Sequence, residues 1–93
     1  MKKRTDDNQR AIVNALRQAG ATVTPTHMVG DGFVDVVVGW MGINFLVEIK
    51  DGSKPPSKRK LTPDEQDWHD AWKGESHIVY SVDEALALLR KYT

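Results

Sequence analysis

Phe33-Val34-Asp35-Val36-Val37-Val38-Gly39-Trp40-Met41-Gly42-Ile43-Asn44-Phe45-Leu46-Val47-Glu48-Ile49-Lys50 is the stretch on which the fold turns. Both halves are rich in β-branched and aromatic residues, which suit a pleated surface. Phe33 to Val38 is apolar on both faces apart from Asp35, the pattern of a central strand covered on both sides. Ile43 to Lys50 alternates: Ile43, Phe45, Val47 and Ile49 are apolar, while Asn44, Leu46, Glu48 and Lys50 are largely polar. Gly39 to Gly42 joins the two as a hairpin, its loop either Trp40-Met41 or all four residues. Either loop pairs the strands so that Asp35 faces Leu46 and shares a sheet face with Glu48 and Lys50.

Outward from this hairpin the punctuation is clear. Upstream, Ile12, Leu16 and Ala19 repeat at helical spacing, predicting a helix from about Asp6 to Ala19 that Thr5 or Asp6 caps and Gly20 ends. Ala21 to Val29 favours an edge or irregular strand because Pro25 cannot donate to a ladder, and Gly30-Asp31-Gly32 is a turn. Downstream, Asp51 to Leu61 is a loop rich in Pro, Ser and Lys. Thr62-Pro63-Asp64-Glu65 is a capping box with proline in the first helical position, and the helix it opens carries Trp68, Ala71 and Trp72 on one face, packed against the sheet, and stops at Gly74. His77 to Tyr80 is a short strand, and Ser81-Val82-Asp83-Glu84 caps a last helix through Leu86, Leu89 and Tyr92. The expected fold is α/β, one small domain over 1–93 with a mixed sheet flanked by helices, in the order α-β-β-β-α-β-α.

Composition bounds the function. At 93 residues one core is the expectation, and 40% apolar with 28% charged residues is ordinary for a soluble domain. No apolar run is long enough for a bilayer, and the basic start Met1 to Arg4 runs into the polar Thr5 to Arg10, so neither a membrane partner nor a signal peptide is expected. The chain has no cysteine, hence no disulfide framework and no thiolate metal site, and a cytoplasmic location is the default expectation. A net charge of zero argues against a protein that coats nucleic acid, yet Lys54, Lys58, Arg59 and Lys60 crowd into one loop. His27, His69 and His77 are scattered without zinc-ligand spacing and read as surface or packed residues.

Asp35 is the residue that asks for chemistry. A carboxylate inside an apolar strand is costly unless it is paired or bound to a metal. Glu48 is expected as its diagonal neighbour, with Cα atoms about 7–8 Å apart. Two carboxylates at that separation suit one hard cation, which takes oxygen ligands and relieves their repulsion. Lys50 follows about 7 Å further along the same face, where its ammonium can reach a water or a phosphate oxygen. The basic loop follows directly and is positioned to meet phosphates. The bland reading, in which these are a paired aspartate and solvated strand residues, accounts for Glu48 and Lys50 but not for Asp35.

Asp35 followed after a turn by Glu48-Ile49-Lys50 resembles the D…(D/E)-x-K signature of the PD-(D/E)XK nuclease superfamily, with Val34 where the name-giving proline would stand. The wider pattern is similar to its small stand-alone VRR-NUC and phage branch, which includes Holliday-junction-resolvase-like nucleases. The likeness takes in Asp7-Asn8-Gln9, the Gly32-x-x-Asp35 approach, Glu48 to Gly52, and Lys60-Leu61-Thr62-Pro63-Asp64-Glu65-Gln66. The resemblance implies a restriction-endonuclease-like core and Mg²⁺- or Mn²⁺-dependent hydrolysis of DNA, leaving a 5′-phosphate. Asp35, Glu48 and the backbone carbonyl of Ile49 would hold the metal, Lys50 would orient the attacking water, and Gln66 and Asp7 would join the site. It further implies branched DNA as substrate, a homodimer as active form, and a bacterial or phage-infected host cell. Trp40 and Met41 at the hairpin tip, with the apolar face near Val29, are the candidate dimer surfaces. A catalytically silent nuclease fold that binds DNA or a protein, and a plain interaction module, are the competing readings.

Overall fold

The computed structural model describes residues 7–93. Helix α1, Asp7–Gln18, buries Ile12, Val13 and Leu16 along one stripe. It ends in a Schellman motif: Ala21 N donates to Leu16 O, Gly20 N donates to Arg17 O, and Gly20 adopts φ +109°. Four strands follow in one sheet, β1 Thr22–Pro25, β2 Val36–Trp40, β3 Ile43–Ile49 and β4 Ser76–Val79, in the spatial order β1-β2-β3-β4. The first three pair antiparallel and β4 runs parallel to β3, with helix α2, Pro63–Ala71, as the crossover. Helix α3, Val82–Lys91, closes the chain, so the element order is α-β-β-β-α-β-α, a small α/β domain with a mixed sheet. A 3₁₀ turn at Pro56–Lys58 interrupts the basic loop.

One face of the sheet carries the core. Val36, Val38, Phe45, Val47, Ile49 and Val79 meet Ile12 and Leu16 of α1 and Ala85 and Leu89 of α3, all buried. The other face is thinner than the apolar pattern of β2 predicts: Val37, Leu46 and Ile78 are only half-buried. Trp68 and Trp72, expected as core against the sheet, instead stack on each other at 4.7 Å between ring centroids, with Phe33 edge-on at 5.3 Å from Trp68. Trp72 stays 42% exposed as a result. Among the described residues no helix is long and apolar enough to cross a membrane.

The hairpin differs from expectation by one turn position. Trp40 pairs with Ile43, so the loop is Met41-Gly42, with φ +52° and +79°. Two positive φ values in a two-residue loop match the right-handed twist of the flanking strands. The ladder ends at Val36↔Val47, and Asp35 N donates to the same Val47 O at 3.2 Å, which sets Asp35 beside Val47 and Glu48 rather than opposite Leu46. The shift is two residues, so the side chains keep their faces. Trp40 leaves the tip altogether and packs inward, its Nε1 donating to Leu89 O at 3.0 Å. Met41 remains there, 63% exposed.

Candidate active site

Asp35 sits at the last residue before β2, where the main chain is already leaving the ladder. Its main-chain N donates to Val47 O at 3.2 Å, and its carboxylate adds a second bond to β3: Oδ2 accepts from Ile49 N at 2.7 Å. Thr26 N donates to the Asp35 carbonyl at 2.7 Å, so the residue is pinned from β3 on one side and from the β1 end on the other. Its side chain is buried, and beside it on β3 Glu48 is 1% exposed. Glu48 Oε2 lies 3.5 Å from Lys50 Nζ, whereas Oε1 is buried with no hydrogen-bond partner. A buried carboxylate oxygen with no N–H or hydroxyl donor among the described residues is costly while the group is ionised, because it has lost its water.

Lys50 turns its ammonium to helix α2. Nζ donates to Glu65 Oε1 at 2.7 Å, and the same oxygen accepts from Thr62 N at 2.9 Å, while Thr62 Oγ1 accepts from Glu65 N at 3.2 Å. Glu65 thus completes the capping box and binds the lysine at once. Four facing groups, Asp35, Glu48, Lys50 and Glu65, set the charge states. Burial, then the neighbouring Asp35 charge and after it Glu65, push the Glu48 carboxyl up to about 9. Burial alone would lower Lys50, but the bond to Glu65 and the Glu48 charge outweigh it and raise its pKa. For Glu65 burial is again outweighed, by the bonds from Lys50 and from the Thr62 backbone, which bring its carboxyl down to about 2. Without a cation, one proton on Glu48 is the arrangement that relieves two carboxylates side by side.

These groups line a cleft of about 150 Å³. Opposite them stand Gln9 from α1 and His27 from the turn after β1, with Gln9 Nε2 3.4 Å from His27 Nδ1. Lys54 and Lys58 reach its edge from the loop. Asn8 Nδ2 donates to Lys50 O at 2.7 Å, fixing the end of β3 against α1. Gly32 lets α2 come this close: a Cβ there would stand 2.3 Å from the Asp64 carbonyl oxygen, and its φ is +78°.

Asp35, Glu48, Ile49 and Lys50 are therefore brought together. Gln66 is not: it is exposed and donates to Asp70 Oδ1 at 2.8 Å, and Glu65, one residue earlier, occupies the inward position. The helical spacing carries that signal, since Glu65 lies three residues before Trp68 on the inner face. The Asp7 side chain lies outside the described residues. Of the basic loop, Arg59 serves structure, donating to Gly52 O at 3.3 Å with its guanidinium 5.9 Å above the Tyr80 ring, and Lys60 is exposed and does not line the cleft. His27 and Gln9 were not legible as site residues, because the sequence does not show that α1 and the β1–β2 connection converge on β3.

Among the described residues no three His, Cys, Asp or Glu side chains are grouped to hold a metal ion by themselves. A cation here would draw on two carboxylates, the Ile49 carbonyl and water. That all-oxygen set suits Mg²⁺, which is commonly bound by one or two carboxylates and keeps several waters. Glu48 Oε1 supplies an acceptor that no N–H or hydroxyl group of the described residues uses.

No protein-family model matches the sequence, and no curated protein matches it. A solved structure described as "VRR_NUC domain" superposes with a TM-score of 0.66 over 91% of this chain and 92% of that one, at 21% identity. VRR-NUC domains fall within the PD-(D/E)XK nuclease superfamily, to which the Asp35…Glu48-Ile49-Lys50 pattern was likened. The chain has the VRR-NUC fold, and that fold carries Asp35, Glu48 and Lys50 into one cleft.

Proposed function

We propose that the protein is a Mg²⁺- or Mn²⁺-dependent endonuclease that hydrolyses DNA phosphodiester bonds, with a preference for branched substrates such as Holliday junctions or flaps. The observation that carries the reading is the Glu48 carboxyl, buried beside the Asp35 carboxylate in the same cleft as Lys50. Asp35, Glu48 and the Ile49 carbonyl would hold the cation. A divalent cation bound there lowers the pKa of water and offsets charge that builds on the phosphoryl oxygens.

The chain's own residues do the rest. Lys50, held charged between Glu65 and Glu48, keeps a positive group beside the scissile phosphate and orients the attacking water. Its bond to Glu65 fixes where that charge stands. Lys54 and Lys58 at the cleft edge take backbone phosphates on one side of the scissile bond. A symmetric homodimer would bring two such sites to a two-fold substrate. Met41 and Ile43 at the hairpin tip, 63% and 37% exposed, and Met28 and Val29, 69% and 58% exposed, are the apolar surfaces for it.

Incubation with labelled linear, nicked, flapped and four-way-junction DNAs in Mg²⁺ tests the reading. Cleavage that EDTA abolishes is expected, fastest on the branched forms. DNA binding with no cleavage in Mg²⁺ or Mn²⁺ would make the fold a silent binding module.

A further inference from the structure

The cleft does not end at its walls. It shares Gln9 and His27 with a second hollow of about 170 Å³ that runs along α1, rimmed by Arg10, Asn14 and Arg17. At its other end it shares Asp51 with a larger hollow at the start of α3, beside Arg59 and Glu84. The two arms differ in charge. Among the described residues the α1 arm is lined by two arginines and by no acidic side chain, with Val13 and Pro25 as apolar wall. The α3 arm sets Asp51 and Glu84 against Arg59 alone, and Arg59 is engaged by Gly52 O and the Tyr80 ring. Beyond α2 the surface is acidic, with Asp31, Asp64 and Asp67 around one further hollow.

We propose that the hollow along α1 is the second half of the nucleic-acid track, in which a DNA strand leaving the cleft past Gln9 and His27 is held by Arg10, Asn14 and Arg17. The proposal rests on the nuclease reading and adds the direction the strand takes. Positions 10, 14 and 17 fall on one helical face, and Arg10 and Arg17 are about 10 Å apart along the axis at 1.5 Å per residue. That is about three nucleotide steps at 3.4 Å per step along one strand of B-form DNA. Arg17 keeps one guanidinium nitrogen on Val23 O at 2.8 Å, which directs the group along the β1 edge. Charge selects the occupant: a polyanion gains on the α1 side and meets carboxylates on both other exits.

The test is fluorescence anisotropy of a labelled duplex of about 20 base pairs with the full chain in EDTA, over a salt series. Each of Arg10→Gln and Arg17→Gln is expected to weaken binding several-fold and to lower the salt slope by about 0.9, the loss of one phosphate contact. Arg17→Lys, which keeps the charge, should retain the slope and controls for the lost Val23 bond. Arg90→Gln on the exposed side of α3 should change nothing. Slopes unchanged in both arginine variants while Lys58→Ala lowers its own would overturn the α1 track and leave the nuclease reading standing. A wild-type protein without measurable DNA affinity would overturn both.

Discussion

The Lys50 ammonium donates to Glu65 Oε1 at 2.7 Å, which ties the end of β3 to the first turn of α2. One glutamate therefore holds a helix start and a candidate catalytic cation. Glu65→Gln keeps a side chain that can close the capping box but removes the charge facing Lys50. Near-native thermal stability with cleavage lowered at least about tenfold is expected, one charged contact at such a site being worth about 10²–10³ at most. Glu65→Ala should add a loss of about 1 kcal/mol from the cap, read by chemical denaturation.

Glu48 and Glu65 titrate in opposite directions, which fixes how metal-free stability depends on pH. Glu48, raised to about 9, contributes stability that is complete below its unfolded value near 4.5 and is lost as pH rises towards 9. Glu65, lowered to about 2, contributes stability present above 4.5 and lost as pH falls towards 2. As far as these two groups act, the protein in EDTA is most stable near pH 4.5. Melting temperatures between pH 5 and 9 should fall for the wild type and stay level for Glu48→Gln, which should be the more stable protein at pH 8. Equal slopes in both would contradict the burial of a shared proton at Glu48.

At the same pH, Mn²⁺ should raise the melting temperature of the wild type, because a ligand that binds only the folded state stabilises it. Proton release should accompany binding, since Glu48 must give up its proton to act as a ligand. Calorimetry in two buffers of different ionisation enthalpy reads that proton. Glu48→Gln should show neither effect.

Gly32 is the hinge of a packing argument. A Cβ at this position would overlap the Asp64 carbonyl oxygen and must also accept φ +78°. Gly32→Ala is expected to push the start of α2 outward, costing about 1–3 kcal/mol of stability and loosening Lys50 from Glu65. Lower activity than the stability loss alone explains, measured well below the melting temperature, is the expected outcome.

The fold was largely legible because its decisive signals are local. Strand alternation from Ile43, the Thr62–Glu65 capping box and Gly20 each act within a few residues, and each stands where the sequence puts it. The register was two residues off, because the loop choice turns on which residues accept positive φ, and Met41 does so without the asparagine or glycine that would announce it. Parity survived that error, so Asp35, Glu48 and Lys50 still share a cleft. Gln66 gave way to Glu65 because a helix starting above the sheet edge presents its inner face, which Trp68 marks. The convergence of Gln9 and His27 depends on how α1 docks across β1, a tertiary contact with no local trace.

The central claim is that Asp35, Glu48 and Lys50 form a metal-dependent phosphodiesterase site, and single-turnover cleavage of a four-way-junction DNA in Mg²⁺ tests it most directly. Wild-type protein should cut, EDTA should abolish the reaction, and Glu48→Gln and Lys50→Ala should each slow it by about 10²–10³ while still binding the junction. Cleavage by either variant at the wild-type rate would contradict the account.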